Sequence, residues 1–417
     1  MLGSFLNFNN SNLKCVIDIG SSKIVCLIFK QTSQGDFKII GTGYASSKGF
    51  KGGYIKNLKE IETAIVATVE EAEKQAGSRV SKAIITFAGG GVKSFICRSK
   101  INLAAPIQTF DQKNVIKKAL KLIDREKYVI IDYFPIEYWV DGNTSIANPV
   151  GLYANELSCC VNVLTVPAIS LHNITNCLSS CHIEIEEITV SPLSNFYSCV
   201  ENEEAENGVT IIDLGEATTS YLLVKDNIFY DFGCIPLGGG SITNDIVKVL
   251  NTSHLVAERI KILHSGVGKN FIDSHKVIDV PIIANREYDT KELESITLSS
   301  LSEVVTCRAE EIVEILKGHI ANKFSSEFTC RIVLTGGGSQ LLGMKELIAK
   351  NFGAKVRMAK PYAPEDYVRG NKDLFFSSAI GAARGYVLKN KLKKLKYDTQ
   401  KATSLSDKIY KWLGENI

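Results

Sequence analysis

The sequence predicts an α/β fold of two related lobes facing a shared cleft, with an inserted α+β module and a C-terminal amphipathic helix. Three observations predict it. An apolar strand, an Asp-apolar-Gly step, small polar residues and a second apolar strand occur in that order at residues 14–29 (KCVIDIGSSKIVCLIF) and again at 208–224 (GVTIIDLGEATTSYLLV). A third apolar strand, RIVLT from Arg331, runs straight into Gly336-Gly337-Gly338. Between them, short β-rich runs alternate with amphipathic helical stretches, the pattern of a layered α/β protein.

The chain has 417 residues, 45% hydrophobic and 22% charged, which is ordinary globular material for roughly two to four compact units. Its formal net charge of +3 hides an uneven distribution. Residues 387–417 hold eight Lys and three acids, a local charge of +5, so the first 386 residues carry −2. The body is therefore not a nucleic-acid-binding surface by bulk charge. A basic tail on a neutral body points to one localised anionic partner. No secretory signal is expected, because the start MLGSFLNFNNSN lacks a basic region and its apolar residues are interrupted by Asn. No run approaches the ~20 apolar residues of a membrane span. The 11 cysteines show no CxxC pair. Cys177, Cys181 and His182 lack a second half-site, so the cysteines read as small buried hydrophobes in a reducing compartment.

The elements follow in order. Residues 1–12 are expected to be disordered, and the first hairpin opens a lobe formed by 13–80 with 167–206 and about 370–388. Within it, 58–77 is an amphipathic helix closed by Gly77. Residues 81–166 change character: strands at 83–87 and 95–103 bracket a triple-Gly turn, a Lys-rich helix follows at 112–125, and strands follow at 128–134 and 157–166. This is the inserted module. Residues 170–181 form a helix feeding a strand at 183–190, and the acidic link 201–206 separates the halves. The second lobe takes 207–240 and 302–369, with a subdomain at 241–301. There, helices are expected at 242–250 and 255–263, a strand-like run at 271–286 and one long helix at 291–318. Helices at 341–351 and 377–390 end the body, before a mobile basic linker (389–403) and a terminal helix (404–417).

Tight turns of small residues present backbone N–H groups that cradle phosphate, and glycine lets the backbone approach closely. DIGSSK and DLGEATT suit opposite sides of a polyphosphate. Asp18 and Asp213, at the strand ends, suit a Mg²⁺ held through water, since Mg²⁺ takes few carboxylates plus phosphate oxygens. Gly336, Gly337 and Gly338 offer a side-chain-free platform for a nucleoside base. Each turn alone is an ordinary chain reversal; the order and spacing carry the signal.

The order of DIGSSK, a second Asp-x-Gly hairpin, a helix with AERIK (257–261) and a late TGGG resembles the actin-like ATPase superfamily. Within it, the chain resembles the FtsA family of bacterial cell-division proteins, which tether the FtsZ ring to the cytoplasmic membrane. The resemblance covers residues 13–417 and includes GFKGGYIKN (49–57), NPVG (148–151), VLTGGGSQLLGM (333–344) and SSAIGAARGY (377–386). It implies an actin-like two-lobed ATPase fold whose inserted module helps contact neighbouring subunits. It also implies ATP and Mg as cofactors, with Asp18, Gly20, Ser21, Ser22 and Lys23 as the first phosphate loop. Asp213, Gly215, Thr218 and Thr219 would form the second loop, Gly336 to Gly338 would flank the adenosine, and Glu258 and Lys261 would reach the ribose or adenine. The implied partners are FtsZ (through about 240–301), further copies in a filament, other division proteins and anionic inner-membrane lipids, with no nucleic acid. The implied location is the cytoplasmic side of the bacterial inner membrane at the division site, as a peripheral protein.

One departure stands out. Glu216 and Ala217 occupy positions where the family usually has further glycines. A carboxylate facing phosphates repels them, and no residue stands out as a general base for water, so binding with little turnover is expected.

In the tail, Leu405, Ile409, Trp412, Leu413 and Ile417 fall on one face, with Lys408 and Lys411 off it and Asp407 in the first turn. A short helix with Trp on its apolar face, behind a Lys-rich tether, suits an interfacial membrane anchor. Docking of this helix on the body or in a partner's groove is the alternative. An actin-fold small-molecule kinase would leave the tail without a role, and a PilM-like pilus-assembly adaptor would have the same body without the tail.

Overall fold

The computed structural model describes residues 13–401, apart from 33–35, 90, 105, 143, 269–275, 282–292, 322–330, 363 and 365–372. The first sheet starts with a hairpin of β1 (Leu13–Ile19) and β2 (Lys23–Gln31), in register at Asp18 and Val25, continued by β3 (Phe37–Ser46). A small hairpin, β4 (Phe50–Lys51) and β5 (Tyr54–Ile55), leads to α1 (Leu58–Ala76). The Asn57 side chain accepts from Glu60 N–H at its start, and Gly77 closes its end at φ 63°, the left-handed conformation that glycine adopts freely. β6 (Lys82–Phe87) then pairs in parallel with β1. This strand belongs to the first lobe's sheet, so the inserted module starts after Phe87 and not at residue 81. Its run of buried Ala83, Ile84, Ile85 and Phe87 fits a strand covered on both faces.

The inserted module is an antiparallel sheet of β7 (Lys93–Asn102), β8 (Tyr128–Val140), β9 (Thr144–Ile146) and β10 (Glu156–Pro167), in the order β7-β10-β8-β9. Its helix α2 (Thr109–Leu120) buries Val115, Ile116 and Ala119 against Leu157, Val161 and Val163. The chain returns through α3 (Ala168–Ser180), β11 (Glu184–Val190) and α4 (Ser191–Cys199), completing a first-lobe sheet of order β11-β6-β1-β2-β3.

The second lobe repeats this plan. After α5 (Asn202–Asn207), the hairpin of β12 (Val209–Leu214) and β13 (Thr219–Lys225) is extended by β14 (Ile228–Ile235). Helices α6 (Gly239–Leu250) and α7 (His254–His264) follow, then β15 (Val277–Pro281), β16 (Leu293–Thr297) and α8 (Leu298–Ala321). β17 (Arg331–Thr335), α9 (Met344–Phe352) and β18 (Lys355–Met358) complete a sheet of order β14-β13-β12-β17-β18. In both lobes an antiparallel meander is joined at its first strand to two parallel strands.

Three expectations are corrected here. The long helix expected at 291–318 is a strand and then a helix: residues 293–297 pair with β15, and Thr297 accepts from Ser300 N–H where α8 begins. β15 would otherwise be a lone strand, and β-branched Ile296 and Thr297 favour pairing. The acidic link at 201–206 forms α5, with Glu204 bound to the Arg357 guanidinium. The linker expected from 389 is helical as far as Lys401, as part of α10 (Ser377–Lys401). Lys389 itself is held at 3.0 Å by both Asp132 and Glu187. Burial works against its charge, but the two carboxylates more than compensate and raise its pKa. The tail positions Leu405, Ile409, Trp412, Leu413 and Ile417 lie outside the described residues.

α10 lies against α4 at very short range. A Cβ at Gly381 would stand 1.8 Å from the Ser194 carbonyl oxygen. Gly381→Val is expected to lower the unfolding free energy by about 1–3 kcal/mol, measured by urea denaturation, because α10 must then rise off α4.

Candidate functional site

The duplication sets the hairpin turns of both lobes around one cavity of about 500 Å³. The two turns have the same backbone. Gly20 N–H donates to the Lys23 carbonyl at 3.0 Å, and Gly215 N–H to the Thr218 carbonyl at 2.9 Å. Ser21 Oγ accepts from Gly52 N–H at 2.9 Å, which draws the β4–β5 hairpin to the rim. The second turn is fixed by α6, whose Gly239 and Gly240 N–H groups donate to the carbonyls of Gly215 and Glu216. Gly336, at φ 87°, crosses directly over Asp213. A Cβ there would lie 2.4 Å from Asp213 Oδ1, so a side chain is excluded.

Of the residues singled out from the sequence, Asp18, Gly20, Ser21, Ser22, Lys23, Asp213, Gly215, Thr218, Glu258, Lys261 and Gly336 to Gly338 all line this cavity. Thr219 does not. It is buried, and its hydroxyl donates to the Leu237 carbonyl at 2.8 Å. Lys261 is at the wall, but its ammonium is committed to Glu258 at 2.7 Å, Thr243 Oγ1 at 2.8 Å and the Gly239 carbonyl at 3.1 Å. Those three bonds use its three protons, so Lys261 ties α7 to α6 and is not available to a ligand. Three groups carry no sequence motif. Asn195, on α4, donates to Asp213 Oδ2 at 2.9 Å and accepts from Ser377 Oγ at 2.8 Å. Ser191 begins α4, and Phe375 accepts a hydrogen bond from the Lys23 ammonium, which lies 3.6 Å from its ring centre.

Comparison with known proteins places this arrangement. A family model described as "Cell division protein FtsA" matches residues 210–381, and one described as "SHS2 domain inserted in FTSA" matches 89–165. The cell division protein FtsA of Agrobacterium fabrum is 29% identical over 388 residues, covering 90% of this chain and 87% of that protein. That of Borreliella burgdorferi is 28% identical over 412 residues, covering 96% and 98%. The chain belongs to the FtsA family. Among solved structures, the PilM-PilN type IV pilus biogenesis complex aligns with a TM-score of 0.61 at 15% identity, covering 90% of this chain and 98% of that one. MreB5 of Spiroplasma citri bound to AMPPNP aligns at 0.56 and 12%, covering 93% and 99%. The fold is that of the actin-like ATPases, and the module at 89–165 is the insert that the family carries.

In this family member the cleft is electrostatically unfinished. Asp18 is 7% exposed, and its Oδ1 has no hydrogen-bond partner. Burial raises its pKa to about 7, with Lys23 opposing and Asp213 adding to the rise. Burial likewise raises Asp213 to about 6, against Lys23 and the Asn195 hydrogen bond. Lys23 is lowered by burial to about 8, although both carboxylates favour its charge. Two carboxylates thus share one ammonium, while Ser191 Oγ and Glu216 Oε2, which line the same cavity, are also buried without partners. Unpaired acceptors and hydroxyls in one cavity fit a hydrated cation with a polar ligand. Among the described residues, no three His, Cys, Asp or Glu side chains converge for direct metal ligation. Contact through water is the arrangement these carboxylates fit.

Asp18→Asn is expected to stabilise the ligand-free chain at pH 8, read as a higher thermal midpoint. A carboxylate whose folded pKa is raised loses stability as it ionises. The gain should therefore be full above about pH 7, shrink below it, and vanish under the ordinary value of 3.8. A gain independent of pH would contradict the charge assignment.

Proposed function

We propose that the cleft binds ATP with Mg²⁺ and that the chain acts as a membrane-tethered adaptor of the division ring. In this reading it polymerises on the cytoplasmic face of the inner membrane, anchors FtsZ and recruits later division proteins. The observation that carries the nucleotide reading is the convergence of two Asp-Gly turns and a triple-Gly loop on one cavity with unpaired buried oxygens. Gly20, Ser21, Ser22 and Lys23 would meet one side of the phosphates, and Gly215 and Thr218 the other. Asp18 and Asp213 would hold the metal through its waters, Gly336 to Gly338 would support the adenosine, and Glu258 would reach the ribose. Bound Mg²⁺ supplies positive charge that lets phosphates and carboxylates share one cavity. We read the site as binding with slow turnover.

Asn195 supports a link between cleft and tail. It joins Asp213 to Ser377 at 2.8 Å and Ser378 at 3.3 Å, the first residues of α10, whose far end at Lys401 precedes the basic-amphipathic tail. A change in the charge on Asp213 is therefore felt at the root of that helix. Among the described residues no helix is long and apolar enough to cross a membrane, and the apolar face of residues 404–417 would lie in the interface. Filament formation would multiply a weak single-tail affinity by avidity.

Co-sedimentation with anionic liposomes tests this reading. The full chain should pellet with vesicles, more so with ATP and Mg²⁺. A chain ending at Lys401, which keeps α10 whole, should lose binding, as should Trp412→Glu. Asp213→Ala should keep basal binding and lose the increment from nucleotide. Retained binding by the truncated chain would defeat the membrane assignment.

A further inference from the structure

We infer that Glu216 is an outer-shell carboxylate for the cation that accompanies the nucleotide, and that it makes nucleotide binding strongly metal-dependent. The inference rests on the nucleotide reading above and adds a residue and a dependence to it. Glu216 sits three residues beyond Asp213, at the tip of the second turn, and lines the cavity. One carboxylate oxygen, Oε2, is buried and accepts no hydrogen bond. The other, Oε1, lies where a side chain on Gly240 would stand, 2.4 Å from a Cβ built there. The carboxylate is thus seated against the first turn of α6, whose positive end favours its charge. Among the described residues, the cation within ion-pair range of it is Lys51 on the β4–β5 hairpin across the cleft, 3.9 Å from Oε1 and half exposed.

An ionised carboxylate only accepts hydrogen bonds, so the buried Oε2 needs a donor. Phosphate oxygens supply none and repel it. Water bound to Mg²⁺ supplies one, and Mg²⁺ keeps several of its waters when it binds phosphates. Two groups of the first lobe that line the same cavity point the same way: Asp18 Oδ1 and Ser191 Oγ are buried and unpartnered, in residues only 7% and 2% exposed. The carboxylate that opposes a bare polyphosphate is thereby the one that accepts a hydrated metal–nucleotide complex. Glu216 selects the metal-loaded form.

The experiment is titration of the full chain with ADP by calorimetry, in excess Mg²⁺ and in EDTA, for wild type, Glu216→Gln and Lys51→Gln. Wild type should bind with Mg²⁺ and far more weakly without it. Glu216→Gln should lower the ratio of the two affinities by about 10–100-fold, the usual effect of losing an outer-shell partner, with metal-free binding equal to wild type or tighter. Lys51→Gln should leave the ratio as in wild type. An unchanged ratio in Glu216→Gln, or equal weakening with and without metal, would overturn the inference and leave the nucleotide reading standing. The same fall in Lys51→Gln would assign the effect to the cross-cleft ion pair and overturn it as well. A wild-type chain that binds ADP under neither condition would overturn the nucleotide reading together with this inference.

Discussion

Asp18 and Asp213 face one buried cavity with Lys23 as their shared counter-charge, and the rest of the structure is arranged around that imbalance. Each carboxylate stands one residue before the end of the first strand of its lobe, and the duplicated sheets bring the two strand ends together. Burial raises both acids and lowers the lysine. Such a group costs the folded chain stability, and a fold keeps it where a ligand completes it. The flanking turns supply backbone and small polar side chains, and Gly336 admits the third loop over Asp213. The cavity is therefore complementary to something both cationic and phosphate-like.

From this centre the constraint runs outward through Asn195. Its amide spans Asp213 and the hydroxyls at the start of α10. α10 is pressed onto α4 at Gly381 and tied further along by Lys389 to the inserted module and to β11. One helix thus touches the cleft, the first lobe and the insert before reaching the tail. The second turn has its own support in α6 and α7, where Lys261 is spent on Gly239, Thr243 and Glu258.

The two turns and the triple-Gly loop were legible in the sequence because their function is local. An Asp-apolar-Gly step between apolar strands fixes a turn and a carboxylate within a few residues. Asn195 and Phe375 were not legible, because each acts through a partner far away in the chain: Asn195 meets Ser377 across 182 positions, and Lys23 meets Phe375 across 352. Ser191 was not legible because only the fold brings its unpartnered hydroxyl to the cavity. β16 was misread because its five residues adjoin an amphipathic helix and only pairing with β15 makes them a strand. Lys389 and the residues after it looked like a tether by composition. Lysine is a good helix former, and the Asp132 and Glu187 contacts hold the helix in place where the composition suggested mobility. Lys261 was carried over as a ligand group from the family resemblance; its i,i+3 pairing with Glu258 is visible in the spacing, but the Gly239 carbonyl and Thr243 hydroxyl that take its other protons are not.

The central claim is that a cation completes the buried pair of carboxylates. Proton release on binding measures it most directly, by calorimetry of Mg²⁺–ADP binding at pH 6.5 in buffers of different ionisation enthalpy, corrected for the nucleotide's own phosphate. With Asp18 near 7 and Asp213 near 6 in the free chain, binding should expel about one proton. A binding enthalpy that does not change with buffer, showing no proton released, would contradict the account.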